Sequence, residues 1–182
     1  IYMRINMKSN YLVSIIMTCY NGESFLQDAV KSIINQTHTN WELIFYDNNS
    51  DDKSAKIIKK FNDKRIKYFK SNKLVNLGTV RKLAFSKCHG EFISFLDVDD
   101  YWNEFKLEKQ VKIFETNNRA DVVYSNYYKV ENNKNMKIKK LLFRGYCQNK
   151  IISSYIDGSP LTAWLTLMIK KSAIDKLKVS FD

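Results

Sequence analysis

An acidic cluster that directly follows an apolar run is the part of this sequence best suited to chemistry. The run Phe92–Leu96 is short and nearly continuous, which is typical of a buried parallel strand, and Asp97, Asp99 and Asp100 follow it. Such strands end at the edge where open α/β sheets bind ligands. Carboxylates held this close together repel one another and need a compensating cation. The spacing therefore favours a hard divalent ion, Mg²⁺ or Mn²⁺, that shares its coordination with substrate phosphates.

The same spacing allows a structural interpretation. Asp99 or Asp100 could cap the helix that follows, with the other carboxylates solvated. A single Asp-x-Asp is a short motif, and on spacing alone the two interpretations stand side by side.

Strand and helix patterns alternate over about the first 120 residues, and the elements that they predict must position the acidic cluster. Four further apolar or β-rich runs predict strands at 11–18, 41–46, 66–69 and 121–124. Helical periodicity predicts helices between them, the first capped by Asn21 and the third closed by Gly90. A polar turn within 130–142 predicts a protruding hairpin, and a last short helix contains Ala173 and Ile174. This order predicts a Rossmann-like three-layer α/β sandwich, with a mostly parallel central sheet and helices on both faces.

The composition is that of a basic globular domain. We expect residues 1–10 to be a loose lead-in and 11–182 to form a single domain. The formal charge of +11, from 30 Lys and Arg against 19 Asp and Glu, favours anionic partners such as nucleic acid, an acidic membrane or a phosphorylated substrate. Three dispersed cysteines do not suit a disulfide framework, and no apolar stretch is long enough to span a membrane, so we expect a soluble cytoplasmic protein. Neither G-x-G-x-x-G nor a Walker motif occurs, so side chains and a metal must hold any nucleotide.

Four blocks of the chain, in order, resemble the nucleotide-sugar-binding half of family-2 glycosyltransferases, which have the GT-A fold. These blocks are VSIIMTCYNGESFLQDAVKSIINQT, WELIFYDNNSDD, NLGTVRKLAFSKCHGEFISFLDVDDYW, and KLEKQVKIFE with ADVVYSNY. The resemblance implies transfer of a sugar from a nucleoside-diphosphate donor, UDP-linked, to an acceptor hydroxyl with inversion. It also implies a role in the synthesis of a cell-surface polysaccharide or glycolipid.

On the nucleobase side, the resemblance gives roles to three residues. Thr18 and Tyr20 are similar to the family's residues that meet the base, Tyr20 by stacking. Asp47 resembles the carboxylate that accepts a hydrogen bond from the base, with a turn or helix cap as the alternative from its own sequence context. Asn48 departs from the family pattern, which often has a second aspartate there.

On the diphosphate side, the resemblance implies that Arg81 approaches the phosphates, although a solvated helix residue is the alternative. Asp97 and Asp99 match the family's Asp-x-Asp. We therefore expect Asp97 to lie toward the ribose and Asp99 to coordinate a Mn²⁺ or Mg²⁺ that bridges the two phosphates. For Asp100 we favour the helix cap over a supporting role beside the metal.

The family's catalytic base is an acidic residue beyond the position of Asp182, so we expect the chain to be truncated at its C-terminus. Within the chain, Asp157 is the candidate base, without a motif to support it. The expected acceptor is a saccharide or a lipid-linked intermediate. Basic residues from Lys134 to Lys150 predict contact with an anionic membrane, at its inner face, with a solvated hairpin as the alternative.

Three other functions compete with a complete transferase. A nucleotidyltransferase also uses paired aspartates and a metal, but it needs a phosphate-binding loop that the first strand does not offer. A basic nucleic-acid-binding protein would suit the charge, but the aromatic residues lie mainly in apolar runs and no nucleic-acid module is recognisable. A fragment that binds a nucleotide sugar without transferring it is consistent with the missing base. We expect no nucleic-acid partner.

Overall fold

The computed structural model describes residues 10–131, 135–139 and 164–177. Its strands are β1 (Val13–Cys19), β2 (Trp41–Asp47), β3 (Ile66–Lys70), β4 (Phe92–Phe95), β5 (Val122–Val123), β6 (Tyr127–Glu131), β7 (Asn135–Lys139) and β8 (Met168–Lys170). Its α-helices are α1 (Leu26–Ile34), α2 (Ser54–Ile58), α3 (Leu77–Phe85), α4 (Lys106–Thr116) and α5 (Lys171–Leu177). A short 3₁₀ helix, η1 (Trp164–Thr166), precedes β8.

The central sheet has six strands in the order β3-β2-β1-β4-β8-β5. The first four strands of the chain pair in parallel, whereas β8 is antiparallel to both of its neighbours. The predicted mostly parallel sheet is therefore confirmed, and β6 pairs with β7 as the predicted hairpin. The sequence interpretation missed β8, because its three residues are too few to show a strand pattern beside a helix.

Helices cover both faces of the sheet, as expected for a three-layer sandwich. One core contains apolar residues of α1, α2 and α4, and the other contains those of α3 and α5. The strands contribute to both cores because alternate side chains point to opposite faces. On β1, for example, Ile15 and Met17 belong to the first core and Ile16 to the second.

Two predicted helix ends are wrong. Asn21 does not cap α1, which begins after Phe25. Instead, Asn21 adopts a left-handed conformation (φ 52°) and accepts a hydrogen bond from the Asp51 N–H. Gly90 does not close α3, which ends at Phe85. It lies against β1, where the two backbones come too close for a side chain.

At the opposite edge of the sheet from the acidic cluster, Glu42 is buried at the start of β2. Its carboxylate accepts hydrogen bonds from Ser14 Oγ, the His89 N–H and Lys67 Nζ, each at 2.6 Å. Burial by itself raises the pKa of Glu42, but the hydrogen bonds from Lys67, Ser14 and the His89 N–H outweigh it and lower the pKa to about 2. This ionised group ties β1, β2 and β3 to the turn before β4.

Glu42 should make stability depend on pH. The pKa of Glu42 lies below the value of about 4.3 that glutamate has in an unfolded chain. The contribution of its carboxylate to the free energy of unfolding is therefore complete above about pH 4.3 and is lost as the pH falls toward 2. We expect Glu42→Gln to lower the free energy of unfolding by about 2–3 kcal/mol at pH 7 and by about half as much at pH 3. Urea unfolding at both pH values measures this. Glu115→Gln, on the exposed face of α4, should match the wild type at both. If Glu42→Gln lowers the free energy of unfolding as much at pH 3 as at pH 7, the pKa of Glu42 is not the origin of the pH dependence.

Within the described residues, every helix is too short or too polar to cross a lipid bilayer.

Candidate functional site

The predicted site residues come together at the carboxyl edge of the parallel strands. Cys19 lies opposite Asp47, and Asp47 opposite Lys70, so β1, β2 and β3 end side by side. β4 lies on the other side of β1, with Phe95 opposite Ile16, and leads into the acidic cluster. The register thus places the nucleobase-side and diphosphate-side candidates on one edge.

Two loops on this edge, 20–25 after β1 and 48–53 after β2, hold each other in place. Side chains of each loop, together with Ser54 at the start of α2, accept hydrogen bonds from the backbone N–H groups of the other loop. From the first loop, the N–H groups donate to Ser50 Oγ, Ser54 Oγ and Asp52 Oδ2 at 2.9–3.1 Å. From the second, the N–H groups of Asp51 and Lys53 donate to Asn21 Oδ1 and Glu23 Oε2 at 3.1 and 2.8 Å. The loops therefore form one rigid wall beside the strand ends.

Tyr20 projects from this wall and Thr18 lies just below it. The Tyr20 side chain is 52% exposed, so its ring is available for stacking, and Thr18 is half-buried. Asn48 is buried and pairs with the backbone of Val75, donating to its carbonyl at 2.8 Å and accepting from its N–H at 3.1 Å. This pair ties the segment after β3 to the wall.

Asp47 is fully buried beneath the wall. Its carboxylate accepts hydrogen bonds from the Ser50 N–H at 2.7 Å and from Tyr68 Oη at 2.8 Å. Burial, together with this bond to Asp47, raises the pKa of Tyr68 above its usual value, so the phenol stays a donor. Asp47 thus shapes the loop after β2, and a hydrogen bond to a nucleobase requires its side chain to become accessible.

The acidic cluster carries negative charge that the protein does not fully compensate. Asp99 is exposed, and 43% of the Asp97 side chain is exposed. Burial raises the pKa of Asp97, although Arg81 beside it acts in the opposite direction. Burial, followed by the charges of Asp99 and Asp97, raises the pKa of Asp100 to about 6.

Asp100 does not cap the next helix, which corrects the prediction. Its N–H donates to the Asp97 carbonyl at 3.1 Å, forming a turn, and α4 begins only at Lys106. The intervening segment keeps Asp100 within the acidic cluster.

Arg81, on α3, is not a solvated helix residue. Its side chain is only 12% exposed, and its Nη2 lies 3.5 Å from Asp97 Oδ1. The guanidinium also lies 5.0 Å from the centre of the Trp164 ring. Arg81 is therefore fixed at the edge of the acidic cluster.

The carboxylate oxygens of the cluster suit a hard divalent ion, but the protein supplies only some of the ligands that such an ion needs. The part of the chain that the structure describes contains no group of three or more His, Cys, Asp or Glu arranged to hold a metal. Asp97 and Asp99 nevertheless offer carboxylate oxygens, the donors that Mg²⁺ and Mn²⁺ prefer. Two carboxylates supply only part of the coordination shell, so these residues fit an ion that takes its other ligands from outside the protein.

Sequence reasoning missed a polar network beneath the cluster. Lys106 Nζ donates to Ser94 Oγ at 3.0 Å and to Gln110 Oε1 at 2.8 Å, and lies 3.9 Å from the centre of the Trp102 ring. Burial holds the pKa of Lys106 well below its usual value. Lys106 stands one helical turn before the inward-facing Gln110, and this spacing was the signal that could have revealed it.

Two predictions fall outside the described residues. The candidate base Asp157 lies there, as do the side chains of the basic segment from Lys134 to Lys150.

Comparison with known sequences assigns the chain to a family. The family model for Glycosyl transferase family 2 matches residues 14–177. Over 124 residues the chain is 38% identical to the Escherichia coli protein WfgD, a UDP-Glc:alpha-D-GlcNAc-diphosphoundecaprenol beta-1,3-glucosyltransferase. The match covers 68% of this chain and 49% of WfgD. The chain thus spans about half the length of the curated relatives it matches.

Solved structures share the fold. S. aureus TarS 1-349 in complex with UDP-GlcNAc has a TM-score of 0.72 at 22% identity, over 92% of this chain and 48% of that one. A mannosyltransferase from Pyrobaculum calidifontis, PcManGT in complex with GDP-Man and Mn²⁺, has a TM-score of 0.67 at 14% identity, over 93% and 47%. At these identities the likeness establishes the GT-A fold alone. Because the family model extends from the first strand to the last helix, the chain belongs to glycosyl transferase family 2.

Proposed function

We propose that this chain carries the donor site of an inverting glycosyltransferase that uses a UDP-sugar. The observation that carries the proposal is the acidic cluster at the carboxyl edge of the sheet. Arg81 compensates its charge only in part, and the exposed ring of Tyr20 lies in the same site. TarS, which shares the fold, binds UDP-GlcNAc, and WfgD acts on a lipid-linked diphosphate acceptor. TarS and WfgD both support a UDP-linked donor. WfgD also supports an acceptor that is a saccharide or a lipid-linked intermediate in surface polysaccharide synthesis.

In this proposal the residues of the site divide the donor between them. The two interlocked loops position Tyr20, and its ring stacks on the base. Thr18 contacts the same base from below. Asp47 fixes the loop after β2 and completes base recognition when its side chain is uncovered. Arg81 lies toward the diphosphate and Asp97 toward the ribose. The two side chains form a fixed pair of opposite charge.

Asp99, the exposed carboxylate of the cluster, is the proposed metal ligand. A bound Mn²⁺ or Mg²⁺ would neutralise charge that develops on the departing diphosphate. The base must act from the side of the sugar opposite the diphosphate, so Asp97 and Asp99 do not serve as base. Asp157 and a carboxylate beyond Asp182 stay predictions, as does peripheral membrane contact through the basic segment.

Thermal denaturation with nucleotides tests the donor site. UDP at 100 times the dissociation constant that it has without metal should stabilise the protein by about 2.7 kcal/mol. Adding Mn²⁺ at the same UDP concentration should enlarge the shift, because an ion held by Asp99 would offset charge on the diphosphate. Uridine, which lacks the diphosphate, should give a smaller shift without metal dependence. No shift with any nucleoside diphosphate in the presence of Mn²⁺ would contradict the proposal. A shift with an oligonucleotide alone would favour nucleic-acid binding instead.

A further inference from the structure

Arg81 lies between a carboxylate and an aromatic ring contributed by distant parts of the chain. Its Nη2 is 3.5 Å from Asp97 Oδ1, and its guanidinium is 5.0 Å from the centre of the Trp164 ring. Only 12% of the Arg81 side chain is exposed, although a long charged side chain on a helix is normally solvated. Two independent contacts therefore restrict a side chain that would otherwise populate many rotamers.

Trp164 is itself fixed, so it can serve as a support. Its ring packs edge-on against Phe95 of β4, with centroids 4.8 Å apart. Beneath it, three side chains donate to three successive carbonyls at 2.5–3.0 Å. These bonds are Trp102 Nε1 to Leu165, Gln110 Nε2 to Thr166 and Ser94 Oγ to Leu167.

Lys106 joins two of these donors. Its Nζ donates to both Ser94 Oγ and Gln110 Oε1, which leaves the Ser94 hydroxyl hydrogen and the Gln110 amide free to face the carbonyls. The network thus connects β4, α4 and η1 in one arrangement. Trp164 is anchored to the same strand that leads into Asp97.

We propose that Trp164 is a positioning residue that holds the Arg81 guanidinium at the acidic cluster before the nucleotide diphosphate binds. The inference rests on the proposed function in naming the diphosphate as the group that Arg81 meets. The face of an indole attracts a guanidinium through its quadrupole, an attraction that an aliphatic side chain of similar bulk lacks. A preplaced arginine loses less conformational freedom on binding, so affinity rises without any contact between Trp164 and the ligand.

The first test does not need a ligand. In ¹⁵N NMR of the free chain, the Arg81 Nε–Hε signal, assigned by its absence in Arg81→Lys, should be rigid and slow to exchange. Trp164→Phe, which keeps an aromatic face, should retain the signal. Trp164→Leu should lose or broaden it while the backbone amide spectrum stays folded. An equally rigid Arg81 signal in Trp164→Leu would overturn the inference, whatever the protein binds.

The second test is a double-mutant cycle on the dissociation constant of UDP, measured by calorimetry with Mn²⁺. Trp164→Leu should weaken binding about three- to tenfold, and Trp164→Phe should weaken it less. In an Arg81→Ala background, Trp164→Leu should not weaken UDP binding further, because the guanidinium that Trp164 positions is absent. The same loss in both backgrounds would overturn the inference. If the wild type does not bind UDP, the proposed donor site fails, and the NMR measurement alone decides the role of Trp164.

Discussion

Replacing Gly90 with alanine is expected to lower the free energy of unfolding by about 3 kcal/mol or more. A Cβ at this position would lie 2.5 Å from the Leu12 carbonyl oxygen, 2.6 Å from the Ser14 nitrogen and 2.9 Å from Ser14 Oγ. Two of these three atoms are backbone atoms at the start of β1, so no rotamer change relieves the clash. The chain must separate β1 from the turn before β4, which also breaks the 2.8 Å bond from the Gly90 N–H to Ser14 Oγ.

Gly22→Ala is the matched comparison for Gly90→Ala. Its Cβ would meet three side-chain atoms, Cys19 Sγ and Val98 Cγ2 at 3.0 Å and Val98 Cβ at 3.3 Å. Side chains can shift by a few tenths of an ångström, so we expect a cost of about 1 kcal/mol. Urea unfolding followed by circular dichroism measures both variants. Equal and small losses would show that the approach of Gly90 to β1 is looser than the distances indicate.

Asp99→Asn should remove most of the Mn²⁺-dependent part of UDP binding. An amide oxygen is a weaker ligand than a carboxylate and carries no charge, so an ion that Asp99 would hold in the proposed donor site would lose affinity. We expect the dissociation constant of UDP with Mn²⁺ to rise about 100-fold, whereas binding without metal should change little. Calorimetry with Mn²⁺, and again with EDTA, separates the two contributions.

Asp175→Asn is the control for this prediction. It makes the same chemical change at an exposed aspartate of α5, outside the proposed site, and should leave both dissociation constants unchanged. If Asp99→Asn weakens UDP equally with and without metal, Asp99 contacts the nucleotide itself and the metal ligand is another group. If Asp175→Asn matches it, the loss reflects overall charge.

The parallel strands were predictable because burial on both faces leaves a short apolar run that few other elements produce. The observed β1, β2 and β3 start or end within two residues of the predicted bounds. The ends of helices were less predictable, because turn-forming residues such as Asn21 and Gly90 suit several local structures. Their actual roles depend on a backbone that lies far away in sequence: the loop after β2 for Asn21, and β1 for Gly90.

The candidate site was also predictable only in part. The sequence indicated which residue types gather at the sheet edge, since each candidate there ends or follows a predicted strand, or lies in the next helix. It did not indicate that Asp97 pairs with Arg81, or that Asp47 is buried under Tyr68 and Ser50. Pairings of this kind depend on the crossing of elements, which periodicity does not encode. Trp164 was invisible for the same reason, because it lies far along the chain from Arg81.

The interlocked loops after β1 and β2 also limit how this protein can diverge. The half-buried N–H of Asn21 and the buried N–H of Gly22 donate to Ser50 and Ser54, so an insertion or deletion after β2 would leave both N–H groups without partners. The length of the loop after β2 is therefore constrained by the loop after β1. Point substitutions at positions that the network does not use, with Tyr20 foremost among them, leave the wall standing. In the proposed donor site, single side chains such as Tyr20 can therefore change more readily than the length of the loop after β2.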